Sequence, residues 1–236
     1  MTIFAALTIR RDGAFHSAAM NMAIDEALLE HVAVPVIRFY RWQSPALSFG
    51  YFGRFADVAG YQRERDLVRR WTGGGIVFHG TDLTYSILIP ASDTVFAESS
   101  ASIYQRIHRA LVNALAETGQ RGVVAGIDDP GSCNAAAVLT KFGISDPGYN
   151  CFAKPVRADV MMDGRKVAGA AQRRTRGGLL HQGSIQGVDV GNRLTERFAR
   201  ALSATCYERE TGDHVVKRAR ELVQQKYGTE TWLRKL

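Results

Sequence analysis

The segment after His16 repeats apolar residues with the period of a helix. Its stripe consists of Met20, Ile24, Leu28 and Val32. Apolar residues four apart lie on one face of an α-helix, so the pattern predicts a helix over residues 17–31. Similar stripes predict helices over residues 101–117, 192–202 and 213–227.

Between the predicted helices lie short β-like segments. The predicted strands cover residues 1–10, 36–40, 46–51, 83–89, 158–162, 165–172 and 177–185. Asp163-Gly164 is a preferred two-residue turn, because both central residues of such a turn need positive φ, and it predicts a β-hairpin. Residues 126–148 are rich in Gly, Pro, Asp and Ser and are expected to be irregular. Strands and helices without regular βαβ alternation predict an α+β fold with a mixed sheet flanked by helices.

Composition narrows the class of protein. The chain has 236 residues, of which 46% are hydrophobic, enough for a substantial core. Three cysteines in a chain of this size suggest free thiols in a reducing cytoplasm. No apolar segment approaches the ~18 residues of a membrane span. The net charge of +7 is explained either by scattered Lys and Arg that keep a domain soluble or by an acidic protein or phosphate-bearing ligand as partner. No nucleic-acid-binding module is visible.

The first segment whose residues could bind a ligand or take part in catalysis is a glycine loop at residues 69–79. Gly73, Gly74 and Gly75 let the backbone turn sharply and bring amide groups close to a carboxylate or phosphate. Arg70 would add charged donors, and His79 could contact a polar head group. A glycine-rich hairpin with surface arginines is the alternative. The loop lacks the Gly-Lys-Ser/Thr of a nucleotide-binding P-loop.

The second segment places Lys166 on a rigid strand, two residues after the Asp163-Gly164 turn. Small residues follow at 168–171, and Gly169 and Ala170 are expected to contact a substrate. An ordinary edge-strand lysine is the alternative. Cys151 lies a short distance before this hairpin, and a nearby cation would activate its thiol as a nucleophile. Most lone cysteines are simply small buried residues, and that alternative applies here too.

Together these segments resemble the lipoate–protein ligase and octanoyltransferase family, whose fold is related to biotin protein ligases. The resemblance covers about residues 17–200. It rests on Asn21-Met-Ala-Ile-Asp-Glu26, Arg41-Trp-Gln-Ser-Pro45, Arg70-x-Thr-Gly-Gly-Gly-x-Val-x-His79, Asp82-Leu-Thr-Tyr-Ser86 and Gly164-Arg-Lys-Val-Ala-Gly-Ala-Ala-Gln172. It implies a single catalytic domain over residues 1–236, with the acyl chain in a tunnel across the sheet and no C-terminal accessory domain.

The resemblance also implies roles for these residues. Arg70, the glycine loop and His79 would line the acyl pocket, and Lys166 would contact the activated carbonyl. Cys151-Phe152 matches a Cys-Phe pair that precedes the Gly-Arg-Lys hairpin in one octanoyltransferase branch. The family usually carries His-Gly-Ser where this chain has His181-Gln-Gly-Ser184, so His181 is shifted by one position. Along a strand such a shift turns a side chain to the opposite face, and the role of His181 stays open.

Three functions remain open. A cysteine-dependent octanoyltransferase would take octanoate from acyl carrier protein and pass it to a lysine of a lipoyl-domain protein such as the glycine cleavage H protein. It would need no cofactor and no metal. A lipoate–protein ligase would instead need ATP and Mg²⁺. A non-catalytic acyl-binding relative is the third. The expected protein is a cytoplasmic monomer.

Overall fold

The computed structural model describes residues 2–129, 155–191 and 193–235. Its strands, in chain order, are β1 (Leu7–Arg11), β2 (Val36–Tyr40), β3 (Ala46–Phe49), β4 (Asp66–Arg69), β5 (Val77–His79), β6 (Leu83–Pro90), β7 (Val123–Val124), β8 (Val160–Met162), β9 (Arg165–Arg174), β10 (Gly178–Ile185) and β11 (Cys206–Glu208). Its helices are α1 (Ala18–His31), α2 (Ser100–Glu117), α3 (Leu194–Leu202), α4 (Asp213–Leu222) and α5 (Glu230–Leu233). A π-helical turn, Val223–Tyr227, extends α4.

The strands form two sheets. Eight of the described strands build one sheet in the order β11-β1-β2-β6-β10-β9-β8-β7. Its β11-β1-β2 edge is parallel and the remaining pairs are antiparallel, so the sheet is mixed, which confirms the predicted α+β class. A separate sheet of three strands, β4-β3-β5, carries the glycine loop between β4 and β5.

Helices cover both faces of the large sheet. Helices α2 and α3 pack on one face, in an apolar core that includes Tyr85, Ile107 and Phe198. Helices α1 and α4 pack on the other, in a second core that includes Met22 and Leu180. Alternate residues of each strand point to opposite faces, so the buried central strands supply both cores.

Helix α1 buries acidic side chains as well as its apolar stripe. Asp25 is fully buried and forms an ion pair of 2.7 Å with Arg38 of β2. Glu26 is nearly buried and accepts hydrogen bonds from Lys226, at 2.6 Å, and from Tyr227. Buried carboxylates need such partners, since an unpaired charge away from water is costly. The acidic residues beside the stripe therefore join α1 to β2 and to the end of α4.

Most local predictions are confirmed. The four predicted helices are present, Ser17 caps α1, and β2 matches its prediction. The Asp163-Gly164 hairpin has positive φ at both turn residues, 49° and 76°. The predicted strand at residues 46–51 ends at Phe49, because the chain then turns so that the Tyr51 amide donates to the Thr72 carbonyl. Of the predicted irregular segment 126–148, residues 130–148 lie outside the described residues.

Candidate active site

A cavity lies between the two sheets, under the N-terminal half of α1. Its volume, counted as the space open to the centre of a water molecule, is about 40 Å³, and the cavity is half open to solvent. It is lined by Met22, Tyr40, Trp42, Ser48, Arg70, Gly74, Val77, His79, Thr84, Lys166, Gly169, Ala170, Ala171, Gln182, Gly183 and Ser184. The exposed lining is mainly apolar with a few polar groups, as expected for a site that holds an alkyl chain by its head.

The cavity brings together most of the residues that the sequence singled out. Arg70, Gly74 and His79 come from the small sheet and its loop, and Lys166, Gly169 and Ala170 come from β9. Gly73 and Gly75 flank Gly74 without lining the cavity. Residues about ninety positions apart thus meet because the small sheet folds over β9 and β10.

The guanidinium of Arg70 organises the glycine loop. Its two terminal nitrogens donate to the carbonyls of Gly73 and Gly75, at 2.9 and 2.8 Å, and to the Ser48 hydroxyl at 2.8 Å. Gly74 adopts a φ of 85°, which favours glycine. Its carbonyl approaches Gly50 so closely that a Cβ there would lie 2.0 Å away. Arg70 therefore holds the conformation of the glycine loop, in addition to placing a positive charge in the lining of the cavity.

His79 is held at both ring nitrogens. Nδ1 donates to Asp82 Oδ2 at 2.8 Å, Nε2 accepts from the Ser48 hydroxyl at 2.7 Å, and Trp42 stacks on the ring at 4.0 Å. Burial lowers the pKa of His79 despite the carboxylate, so the ring is neutral at neutral pH. Burial alone would raise the pKa of Asp82, but hydrogen bonds from His79, the Gly80 amide and a serine lower it.

Ser48, His79 and Asp82 have the spacing of a nucleophile, a base and an orienting carboxylate. The Ser48 oxygen, however, also accepts a hydrogen bond from Arg70. The hydrogen bonds therefore run from Asp82 through His79 and Ser48 to Arg70. They hold the guanidinium of Arg70 in place. The sequence analysis missed Ser48. Asp82 belonged to a matching motif but received no role.

Lys166 forms a buried ion pair that the sequence did not reveal. Its Nζ lies 2.8 Å from Asp159 Oδ2, and the two side chains are 4% and 0% exposed. A β-bulge between Val160 and Met161 shifts the pairing of β8 with β9, so no simple strand spacing links the two residues. Asp159 stands immediately before β8, where its carboxylate reaches the lysine from the side of α2.

Strand β10 presents Gln182 to the cavity. The Thr72 hydroxyl donates to Gln182 Oε1 at 2.7 Å, and Gln182 Nε2 donates to Asp25 Oδ2 at 2.8 Å. Gln182 thus couples the glycine loop to α1.

His181 faces the opposite side of the sheet, as its shift by one position predicted. Its Nδ1 accepts from the Gln172 amide at 3.0 Å, and its ring packs near Tyr104 and His108 of α2. Burial, with a contribution from His108, lowers the pKa of His181 well below its usual range. His181 is a neutral core residue and does not line the cavity.

Cys206, the one cysteine among the described residues, has no environment that would favour its thiolate. Cys206 lies on β11, and burial raises the pKa of its thiol. Cys133 and Cys151 lie outside the described residues, so the nucleophile role of Cys151 stays a prediction.

Neither a metal site nor a membrane span is found in the part of the chain that the structure describes. No group of three or more His, Cys, Asp or Glu side chains there could hold a metal ion. None of its helices is long and apolar enough to cross a membrane.

Comparison with solved structures defines the class of fold. A putative lipoate protein ligase from T. acidophilum, Ta0514, with bound lipoic acid superimposes with a TM-score of 0.71 at 23% identity, covering all of both chains. Lipoate-protein ligase A bound with ATP superimposes with a TM-score of 0.71 at 22% identity, covering 99% of this chain and 98% of that one. The fold is that of a lipoate ligase catalytic domain.

Sequence comparison then shows the family. The model of the lipoyl protein ligase A/B catalytic domain matches residues 17–225, and the chain belongs to this family. Octanoyltransferase LipM of Oceanobacillus iheyensis is 36% identical over 176 residues, which cover 71% of this chain and 59% of that protein. LipM of Symbiobacterium thermophilum is 30% identical over 264 residues and covers 90% and 92%. The chain spans about three fifths of the length of several such relatives.

Proposed function

We propose that this chain is an octanoyltransferase of protein lipoylation. It takes octanoate from acyl carrier protein and transfers it to a lysine of a lipoyl-domain protein such as the glycine cleavage H protein. One observation carries the proposal: Lys166 and the glycine loop line the same mainly apolar cavity. The similarity to proteins named octanoyltransferase supports the transferase over other chemistries of the family.

The first step is thioester exchange. The Cys151 thiolate attacks the carbonyl carbon of the octanoyl thioester, forming a new C–S bond. The bond to the carrier sulfur breaks, and that sulfur leaves as a thiolate that takes up a proton. The Lys166 ammonium stabilises the negative charge that develops on the carbonyl oxygen. The mainly apolar wall strengthens this interaction because its dielectric constant is lower than that of water.

The second step is aminolysis. The neutral amine of the acceptor lysine attacks the octanoyl thioester on Cys151, the C–N bond forms and the C–S bond breaks. The amine loses one proton and the departing thiolate regains one, so the thiol is restored. No nucleotide or metal enters either step, and none is part of the proposed reaction.

The charge of the chain suits both proposed partners. The formal net charge is +7, and acyl carrier protein and lipoyl domains are acidic. Opposite charges speed encounter, so transfer should slow as ionic strength rises. As part of the same proposal, the enzyme works as a monomer in the cytoplasm.

The test is an acyl-enzyme assay. The protein is incubated with octanoyl acyl carrier protein without ATP, and its intact mass is measured. We expect an octanoyl adduct that Cys151→Ser abolishes and that the matched control Cys206→Ser retains, followed by octanoylation of a lipoyl domain. Modification of the lipoyl domain only with ATP and Mg²⁺ would instead indicate the ligase. Binding of octanoate without transfer in either assay would indicate a non-catalytic relative.

A further inference from the structure

The Lys166 side chain is fixed from one side by a buried carboxylate. Asp159 Oδ2 lies 2.8 Å from its Nζ and also accepts a hydrogen bond from the Val156 amide at 2.7 Å. Asp159 is fully buried. A lysine side chain has many rotamers, so a partner this rigid restricts where its ammonium can lie.

Tyr104 of α2 holds the carboxylate of Asp159 in turn. The Tyr104 hydroxyl donates to Asp159 Oδ1 at 2.6 Å and accepts from the Ala170 amide at 2.9 Å. The described pairing of β9 with β8 extends only to Ala168, so Tyr104 takes the place of a strand partner at Ala170. The same hydroxyl thus joins α2, the carboxylate and the strand that lines the cavity.

The strand itself is shaped to accept the lysine. A Cβ at Gly169 would lie 2.4 Å from Lys166 Cε, 2.5 Å from Nζ and 3.2 Å from Asp159 Oδ1. The end of the lysine therefore lies directly over Gly169. Asp159, itself held by Tyr104, thus fixes the ammonium at the edge of the cavity.

From these contacts we infer that Asp159 and Tyr104 are positioning residues that hold the end of Lys166 against the cavity. The inference rests on the proposed transferase function for its kinetic consequence. Among the residues that the structure describes, the titratable groups that face the lysine include Asp159 and, from α2, Tyr104 and His108. Without the carboxylate charge, a buried ammonium is costly, so the side chain of Lys166 turns away from this position toward solvent.

The first test is Asp159→Asn, with Asp163→Asn as the matched control. Asp163 lies in the hairpin turn, where asparagine is equally suited. For Asp159→Asn we expect kcat of octanoyl transfer to fall at least about tenfold, since small misplacements of a reacting group are costly. KM for octanoyl acyl carrier protein should stay within about twofold, because the carrier still binds. Asp163→Asn should match the wild type.

A chemical readout separates positioning from general damage. Limiting acetic anhydride acetylates neutral amines, and peptide mass spectrometry gives the rate at Lys166 relative to Lys217 in the same molecule. In Asp159→Asn this relative rate should rise severalfold or more, because the amine of Lys166 is no longer held in its buried position by the carboxylate. This readout needs no octanoyl transfer. If the wild type fails to transfer octanoate, the proposed function is refuted. The labelling still tests whether Asp159 holds Lys166.

Tyr104→Phe is the second variant and serves if Asp159→Asn does not fold. It removes the hydrogen bond to the carboxylate and the one from the Ala170 amide but keeps the ring, so a severalfold loss of kcat at unchanged KM is expected. Unchanged kcat and unchanged labelling in the folded variants would overturn the inference. A loss of kcat with raised KM and wild-type labelling would also overturn it, because it would mark a purely structural role.

Discussion

Gly169→Ala tests how exactly the end of Lys166 is placed. The added methyl would lie 2.4 Å from Lys166 Cε, whereas ordinary contacts begin at 3.4 Å, so the lysine must move by about 1 Å. The backbone of Gly169 does not require glycine, because its φ lies outside the left-handed region. The obstacle is thus the end of a long side chain and one carboxylate oxygen.

Two effects of very different size follow. Alanine restricts the unfolded chain more than glycine, which offsets part of the crowding, so the free energy of unfolding should change by less than about 1 kcal/mol. A misplacement of about 1 Å at a reacting centre costs on the order of 100-fold in rate. We therefore expect kcat of octanoyl transfer to fall between about 10-fold and 100-fold in a protein that folds normally.

The assay pairs steady-state octanoyl transfer with urea unfolding. Gly177→Ala is the matched control, because a Cβ there meets nothing closer than Thr175 Oγ1 at 3.9 Å. Wild-type kcat in Gly169→Ala would refute the reasoning, since the lysine would then act from a displaced position. A loss of several kcal/mol of stability would refute it as well, because it would show that the buried Lys166–Asp159 pair was broken and not merely shifted.

Two further predictions concern His108 of α2 and the glycine loop. Burial lowers the pKa of His108 from 6.5 to about 4, so the unfolded state binds more protons between these values and stability falls as pH falls through this window. At about 1.4 kcal/mol per pKa unit, the free energy of unfolding should fall by about 3 kcal/mol. Urea unfolding at about pH 7 and about pH 4.5 measures this fall. It should be smaller in His108→Gln and unchanged in the exposed control His31→Gln. Gly50→Ala should cost about 1–3 kcal/mol and reduce octanoyl transfer, because its Cβ would lie 2.0 Å from the Gly74 carbonyl. Wild-type unfolding and transfer in Gly50→Ala would show that the loop can shift freely.

The sequence by itself determined the local structure of this protein. Helix α2 and the Asp163-Gly164 hairpin follow from a period of 3.6 and from turn chemistry, both of which act over a few residues. The opposite orientation of His181 followed from strand parity, which needs no knowledge of the partner strands. The glycine loop and Lys166 were recognisable because their residue types and order carry the family resemblance.

Only the tertiary structure decided how the cavity is supported. Lys166 meets Asp159 across a bulged strand pair, and Arg70 meets Ser48 and His79 within a small separate sheet. Such partners are chosen by sheet order and register, which depend on packing between distant segments. A sequence shows which side chains carry charge, whereas the fold decides which of these charges lose water and must be paired.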